Sequence, residues 1–368
     1  MIKSHKLASL LLGGLLLAAG LCGGAGASGV TVEKVQFKNN DITLVGNLYR
    51  PADFNTSKKY PAISVAHPWG GVKEQTAGIY AEQLAEKGFI TLAYDASHYG
   101  ESGGEPRYYE NPSERVEDIR CAIDYLSNRP DVDADHIGAL GICAGGGYTI
   151  AAASTDARVK AAAGISTYDI GDAARSGLKD VWPTTPDGIR ATLQDIGEQR
   201  TKEARGETPR ITKLLPTEKP GADAPQFLQD AYDYYNTKRG GHKNATGNFR
   251  YVSTLRQLEF YPFGMIEFMS PRPLLLIAGS KAQTLYFSER AGLRTGQRPE
   301  RAVHHRRSQA LRPVRQRTVR HRSRRQAGRL FPHLFNLISP SQKALYSHHL
   351  RCGQRALSRY RENVSRET

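Results

Sequence analysis

The feature that most constrains this chain is a cysteine held between glycines, where a buried strand turns into a helix. Residues Gly141 to Gly145 read G-x-C-x-G, with Cys143 at the centre. The apolar run His136–Ile142 predicts a strand before this turn, and Ala144–Ala153 predicts a helix after it. Small neighbours suit so sharp a turn, and the helix N-terminus favours a thiolate and offers N–H groups to an oxyanion. The alternative is a buried structural cysteine in a glycine-rich turn.

The chain before the cysteine turn alternates between strands and helices. Apolar runs at Ala62–Ala66 and Phe89–Asp95 predict two strands. Thr76–Lys87 predicts the helix between them, and Asn111 with Pro112 begins a second helix. This order predicts an α/β fold with a doubly wound, mostly parallel sheet.

Three turns of the chain carry motifs of a known superfamily. His67–Gly71 reads HPWGG and resembles the H-G-x-G turn after the third strand of α/β-hydrolases. Asp95–Gly104 resembles their D-x-R-G-x-G-x-S turn, and G-x-C-x-G resembles their nucleophile elbow with sulfur in place of the serine oxygen. The cysteine points to the dienelactone-hydrolase-like branch, in a bacterial group similar to polyketide acyltransferases and thiohydrolases. The resemblance covers Val30 to Glu289.

The resemblance implies a site for acyl transfer. Cys143 would form a covalent intermediate with an ester, thioester or lactone, and the backbone N–H groups of Trp69 and Ala144 would bind the oxyanion. The triad acid stays open between Asp169, after the sixth strand, and Glu289, late after the seventh. No metal cluster, phosphate loop or dinucleotide motif is present, so we expect a small-molecule acyl substrate and no cofactor.

The general base of such a triad is a histidine after the last strand. The histidines near the C-terminus have no strand and turn before them. By the same resemblance His67 and His98 shape turns, and we expect His242 to be exposed in an insertion. The chain as written is therefore expected to lack its base.

The first 27 residues have the pattern of a secretory signal peptide. Basic residues at Lys3 and Lys6 precede the apolar stretch Leu7–Leu21. Ala25–Ala27 then forms an A-x-A cleavage site. A membrane anchor is the alternative, but the apolar stretch is short and interrupted by glycines. We expect cleavage after Ala27, a periplasmic or secreted protein, and no membrane association after cleavage.

Cysteine usage favours a reactive thiol. Cys121, Cys143 and Cys352 follow the signal peptide, an odd set without a visible disulfide framework. Cys121 is expected to lie off the apolar stripe of its helix. A lone thiol at the glycine-flanked turn is better explained as a nucleophile.

The mature chain divides into a hydrolase domain, residues 28–289, and a tail, residues 290–368. Within the domain, residues 168–264 lose the rhythm of buried strands and predict a helical cap over the active site. The cap is rich in tyrosine and phenylalanine, which either line an acyl pocket or pack the cap on the core. An apolar strand at Pro273–Ser280 resumes the core.

The tail differs sharply in composition. It contains 19 arginines, one lysine and three glutamates, a formal charge of +17, whereas the rest of the chain carries −2. Such a tail is expected to be disordered and to leave the strand before it as an exposed edge. It would suit a nucleic acid or an anionic surface. Basic arms usually contain lysine as well, so we expect no nucleic-acid partner.

A one-base shift of the reading frame near residues 289–291 accounts for the tail. Read one base later, the codons allowed for Glu300–Arg315 can spell NELFIIDGARHFDLYD, which is an apolar strand, a turn and a histidine. Those for Arg325–Phe335 can spell the amphipathic DKLAGFFRTYL, and a stop becomes possible at Leu337 and Ile338. Strand, histidine, helix and stop follow in the order that the fold requires, so we predict a non-native tail.

Three functions follow from the sequence. The first is a hydrolase or acyltransferase with an acyl-cysteine intermediate, impaired by the loss of its histidine. The second is nucleic-acid or anionic-surface binding through the tail. The third is a hydrolase fold that binds ligands without catalysis. The sequence leaves the oligomeric state open.

Overall fold

A computed structural model describes residues 29–178, 182–278 and 301–303. The strands are β1 Thr31–Asn39, β2 Ile42–Arg50, β3 Tyr60–Ala66, β4 Ile90–Tyr94, β5 Val132–Ile142, β6 Val159–Ile165, β7 Gly177–Leu178, β8 Trp182–Pro183, β9 Ile211–Lys213, β10 Asn248–Arg250, β11 Leu274–Ile277 and β12 Arg301–Val303. The helices are α1 Thr76–Ala85, α2 Pro112–Ser127, α3 Ala144–Thr155, α4 Ile170–Ser176, α5 Pro186–Ala204, α6 Gln226–Tyr235 and α7 Thr254–Leu258. Short 3-10 turns at Tyr251–Ser253 and Ile266–Met269 complete the set.

Eight of these strands form one sheet in the order β1-β2-β4-β3-β5-β6-β11-β12. β1 and β2 are antiparallel to each other, as are β2 and β4, and all pairs from β4 to β12 are parallel. Helices α2 and α3 cover one face of the sheet and α1 covers the other. Covering on both faces explains why β4 is buried along its whole length. The predicted α/β class with a mostly parallel sheet is confirmed.

The predicted elements are present, with shifted ends. β5 begins four residues before the apolar run at His136, and α1 ends two residues before Lys87. Asn111 precedes α2 but its side chain makes no capping bond, so Pro112 in the first turn is the start signal that operates. The expectation for Cys121 is wrong. It is 9% exposed and belongs to the core, because α2 packs on both the sheet and α3.

The insertion between β6 and β11 is more mixed than the predicted helical cap. It carries helices α4 to α7 and two small antiparallel pairs, β7 with β8 and β9 with β10. No helix of the described residues is both long and apolar enough to cross a bilayer.

The tail contributes a strand to the sheet. Leu275 of β11 pairs with Arg301, and Ile277 pairs with Val303, both in parallel register. The expectation that β11 stays an exposed edge is therefore wrong, and the expectation of disorder is wrong for these three residues. The expectation that no strand precedes the tail histidines is also wrong for His304 and His305, which directly follow β12 in the sequence. Ladder bonds join main-chain groups, so a foreign side chain does not forbid the pairing. The predicted signal peptide, Glu289 and the remainder of the tail lie outside the described residues.

Candidate active site

Cys143 occupies the predicted sharp turn in a strained backbone conformation. It caps the N-terminus of α3 with φ +56° and ψ −124°, a region that residues with a side chain rarely adopt. Its N–H donates to the carbonyl of Ile165 at 2.9 Å. Its carbonyl accepts from Gly146 at 2.9 Å and from Tyr168 at 3.0 Å. These bonds to β6 and the loop after it hold the conformation that turns the thiol out of the strand.

The two flanking glycines are required by close approach. A Cβ at Gly141 would collide with the carbonyl of Gly145. A Cβ at Gly145 would lie 2.6 Å from the carbonyl oxygens of both Ala66 and His67. The two glycines of the G-x-C-x-G pattern are therefore needed because α3 packs closely against the ends of β3 and β5.

The turn after β3 lies beside the cysteine because the strands that carry them are neighbours. Ala66 pairs with Gly141 in the parallel ladder. The chain then turns at Pro68, whose carbonyl accepts from Gly71 N–H at 3.0 Å. Trp69 stands on this turn, and the N–H of Ala144, on α3, donates to the Cys143 sulfur. Trp69, Cys143 and Ala144, the three residues chosen from the sequence, therefore all follow the carboxyl ends of the neighbouring strands β3 and β5.

The Cys143 thiol resists ionisation. Burial raises its pKa to about 11, although the Ala144 N–H and the charge of Arg115 act in the opposite direction. The side chain is half-buried. The helix N-terminus favours the thiolate as expected, through the Ala144 N–H, but desolvation outweighs it and the pKa rises. At neutral pH the group is a thiol, so it needs a base before it can attack.

A buried charge network that sequence reasoning missed lies behind the turn. Arg115, on α2, is 4% exposed and donates to the carbonyl of His67 at 2.9 Å. Glu110 is fully buried, 3.4 Å from the Arg115 guanidinium, and accepts from the Tyr148 hydroxyl at 2.6 Å. The available signal was a charged residue one turn before Ile119, within the apolar stripe of α2.

A second buried network joins the turn after β3 to the turn after β4. Lys73 is 1% exposed, and its ammonium lies 2.9 Å from Asp95, 2.5 Å from Glu101 and 2.7 Å from Glu74. Burial alone would lower the pKa of Lys73, but the carboxylates outweigh it and raise that pKa. The Asp95 turn therefore fixes the segment that carries Trp69.

None of the histidines in the described residues is placed as a base for Cys143. In His67, Nδ1 donates to the Pro68 carbonyl at 2.7 Å and Nε2 accepts from the Ala96 N–H at 3.1 Å. Burial and the charge of Arg115 hold the pKa of His67 well below its usual value. Both ring nitrogens are engaged, so His67 shapes its turn.

The other described histidines also have partners. His98 Nε2 lies 2.8 Å from Glu114. Burial alone would lower its pKa, but the hydrogen bond and charge of Glu114 raise it. His136 pairs with Asp133 in the first half of β5, on the strand that leads to Cys143. His242 is half-buried in the cap rather than exposed as expected, and its Nδ1 accepts from a main-chain N–H two residues on at 3.3 Å.

Asp169 follows β6, as expected, but acts as a helix cap. Its Oδ1 accepts from the Asp172 N–H at 2.8 Å at the start of α4. Burial raises its pKa, against the N–H groups and Arg175, which lower it. The structure brings no described histidine to Asp169. Glu289, the other candidate acid, lies outside the described residues.

The cap lies on the turn after β3. Phe249 of β10 packs edge-on against Trp69, with ring centroids 5.0 Å apart. Gln75 donates to the carbonyl of Gly240 at 2.6 Å. Tyr235 of α6 lies close enough to Cys143 for the thiolate charge, after burial, to raise the tyrosine pKa. Phe249 therefore packs the cap on the core, which is one of the two roles considered for the aromatics, and Tyr235 lies near Cys143.

Comparison with known proteins places the chain in a family. The model of the dienelactone hydrolase family matches residues 46–168. The YcjY protein of Escherichia coli strain K12 is 42% identical over 268 residues, which cover 70% of this chain and 84% of that protein. The chain belongs to the dienelactone hydrolase family.

A solved structure and further relatives are similar to this dienelactone hydrolase family member. The crystal structure of the hypothetical protein PA2218 from Pseudomonas aeruginosa has a TM-score of 0.68 and 39% identity, covering 73% of this chain and 83% of that one. The thiohydrolase aneE of Aspergillus aculeatus is 26% identical over 256 residues, 68% of this chain and 77% of its own. A fungal polyketide transferase is similar to the same degree. The expected relationship to hydrolases and acyltransferases of polyketide pathways is confirmed.

Proposed function

We propose that this family member transfers acyl groups through a covalent acyl-cysteine on Cys143. The observation that carries the proposal is the strained cysteine at the start of α3, beside the turn that bears Trp69. Hydrolase- and acyltransferase-named relatives support an ester or thioester as substrate. The cap aromatics beside the thiol support an acyl chain or aryl group as the part that is bound.

The chemistry proceeds in two halves. The Cys143 sulfur attacks the acyl carbonyl carbon, and the oxyanion that forms accepts hydrogen bonds from the Trp69 and Ala144 N–H groups. The tetrahedral intermediate collapses as the bond to the alcohol or thiol breaks, and the leaving group takes up a proton. Water, or a second nucleophile in a transferase, then attacks the acyl-cysteine, and the thiol regains its proton. A base is needed in the first half because the thiol pKa is about 11, and in the second half to take a proton from the attacking water or second nucleophile.

We propose that the base belongs to the alternative reading frame of the tail. β12 supports this proposal, since Arg301–Val303 stands at the sheet edge where the shifted frame would spell its strand. The shifted histidine follows that strand by a few residues, across the codons of Ala310 and Leu311. The two engaged ring nitrogens of His67, and the pairing of His98 Nε2 with Glu114, support the same conclusion. Asp169 stays a candidate acid, with one carboxylate oxygen already used in the cap of α4.

Export completes the proposal. The basic, apolar and A-x-A segments of the first 27 residues support secretion to the periplasm or medium, with cleavage after Ala27. Mass spectrometry of protein secreted by the native host tests this, since export predicts an N-terminus at Ser28.

The decisive experiment compares the chain as written with the chain restored to the alternative frame after Glu289. The written chain should form acetyl-Cys143 slowly from p-nitrophenyl acetate and barely turn over. The restored chain should turn over about 10²- to 10⁴-fold faster, the range for a positioned base. Cys143→Ala should abolish the activity, and Cys121→Ala, away from the site, should retain it. Equal turnover by the two chains would contradict the assignment of the base, and acetylation of any residue other than Cys143 would contradict the nucleophile.

A further inference from the structure

The buried cation behind the turn makes its shortest contact with the main chain. The Arg115 Nη2 lies 2.9 Å from the His67 carbonyl, whereas Nη1 lies 3.4 Å and 3.5 Å from the two oxygens of Glu110. A guanidinium is costly to bury unless it is well paired. The shorter hydrogen bond joins Arg115 to the turn that carries Trp69, so Arg115 contacts that turn more closely than it contacts its counter-ion, Glu110.

The network also reaches the helix that begins at the nucleophile. Tyr148, on α3, donates to Glu110 at 2.6 Å, and its ring lies 4.9 Å from the Arg115 guanidinium. From the other side, the His67 carbonyl lies against Gly145 of α3, as the 2.6 Å separation from a Cβ there indicates. The His67 carbonyl is thus held between Arg115 and the first turn of α3. The two oxyanion donors stand on the two elements that this network joins.

We propose that Arg115, anchored by Glu110 and Tyr148, is a positioning residue that fixes the turn of Trp69 against α3 and directs positive charge at the reacting sulfur. The inference rests on the proposed acyl transfer at Cys143. It adds to that function the group that sets the distance between the two oxyanion donors. It also supplies a source of charge stabilisation outside the triad.

Arg115 from α2 and the Tyr235 phenol from α6 both interact electrostatically with Cys143, and Ala144 contributes its N–H dipole. Arg115 favours the thiolate. Its removal should therefore raise the thiol pKa and also let the Trp69 turn move, which are two separable effects.

Two reagents separate these effects on the full-length chain. Iodoacetamide alkylates Cys143 without an oxyanion, so its rate against pH reports the thiolate alone. Acetylation by p-nitrophenyl acetate passes through a tetrahedral oxyanion, so it reports the thiolate and the two donors together. Mass spectrometry localises each product, and thermal unfolding reports stability.

Arg115→Met should slow alkylation at fixed pH by about tenfold, the effect of one pKa unit. It should slow acetylation by a further factor of about ten, because the donors are misplaced. Arg115→Lys should restore most of the alkylation rate but not the acetylation rate, since an ammonium keeps the charge without the fork. Arg120→Met, on the exposed side of the same helix, should leave both rates unchanged.

Equal loss of both rates, or a lower melting temperature with unchanged rates, would overturn the positioning role and leave a merely structural one. If Arg115→Met does not fold, Tyr148→Phe decides, because it removes only the bond to Glu110. A selective loss of acetylation would support the inference, and no change in either rate would overturn it. A wild-type Cys143 that reacts with neither reagent would instead contradict the proposed function, and this inference with it.

Discussion

At the scale of single residues, the site combines a strained backbone at Cys143 with a thiol whose pKa is raised. Cys143 adopts φ +56° to turn its side chain away from β5, and the glycines on either side make room for that turn. The same close packing removes water from the sulfur and raises its pKa to about 11. The turn that carries the proposed nucleophile thus also keeps its thiol protonated at neutral pH.

Alkylation rates should follow this thiol pKa. Iodoacetamide should label Cys143 increasingly fast as the pH rises towards 11, because only the thiolate reacts. Cys121 should react more slowly throughout, since it is 9% exposed and burial raises its pKa to about 12. Peptide mapping after timed alkylation measures both. A Cys143 rate that levels off near pH 7 would show that the thiolate is better stabilised than the structure indicates.

The second residue-scale prediction concerns Gly145. Gly145→Ala should destabilise the fold by about 1–3 kcal/mol, because its methyl group would press on the carbonyls of Ala66 and His67. Gly197→Ala is the matched control, since a Cβ there, in α5, meets no atom within 4 Å. The control should be neutral or stabilising by up to about 1 kcal/mol. Urea unfolding compares the two, and equal effects would argue against close packing at the elbow.

At the scale of elements, the two turns that follow β3 and β4 are bound by a buried ion cluster. Lys73 precedes α1, and Asp95 and Glu101 belong to the turn after β4. Asp95 is fully buried, and it also accepts the backbone N–H groups of Lys73 and Glu101 at 2.8 Å. Because neither turn has regular secondary structure, these bonds fix where Trp69 stands.

Lys73→Met should cost about 3–5 kcal/mol, because it leaves the Asp95 carboxylate buried without its cation. Lys34→Met, which removes the exposed partner of Glu101, should cost less than about 1 kcal/mol. Chemical denaturation at pH 7 measures both. Similar costs would mean that the buried cluster is no more important than a surface pair.

The cluster also predicts an acid dependence of stability. Hydrogen bonds from Lys34 and Lys73 lower the pKa of Glu101 to about 2. A carboxylate with a lowered folded-state pKa stabilises the fold above its unfolded pKa, near 4.5, and this contribution is lost as the pH falls towards 2. Glu101→Gln should flatten the unfolding free energy across this window. An unchanged slope would contradict the pairing.

At the scale of the whole molecule, the cap and the sheet meet at the turn of Trp69. Phe249 packs on the Trp69 ring, and the Arg250 N–H donates to the Tyr108 carbonyl at 2.7 Å. The cap and the Trp69 turn therefore depend on each other. A change in the cap should reach the chemistry through Trp69, although it lies far away along the chain.

Phe249→Ala should loosen the cap and slow acetylation of Cys143, because Trp69 loses its partner. Removing a buried phenylalanine costs about 3–5 kcal/mol in a rigid core. Phe268→Ala is the control, since that ring is 59% exposed and should matter little. The rate of limited proteolysis of the cap and the rate of Cys143 acetylation are both measured for each variant. Faster cleavage of the cap with an unchanged acetylation rate would show that the cap does not act on Cys143 through the Trp69 turn.

Local pattern was sufficient for the order of elements and for the sharp turn at Cys143. Apolar runs of strand length predict the strands, and the glycines around Cys143 predict the sharp turn, because both patterns involve residues that are close together in the sequence. The Trp69 turn was located the same way, with the family resemblance supplying its role. Helix ends were less accurate, since α1 ends at Ala85 and not at the predicted Lys87.

Tertiary structure alone decided the electrostatics. The pKa of Cys143, the core position of Cys121 and the partners of Arg115 depend on which distant segments exclude water from each group, and no local pattern encodes that. The pairing of β12 is similar, since an arginine-rich composition argues against a strand while main-chain bonding to β11 permits one. The sequence by itself determined which residues stand at the turns, because backbone sterics act between neighbours. The tertiary structure decided the pKa, the bonding partners and the burial of those residues, because desolvation and ion pairing act between residues that are far apart in the sequence.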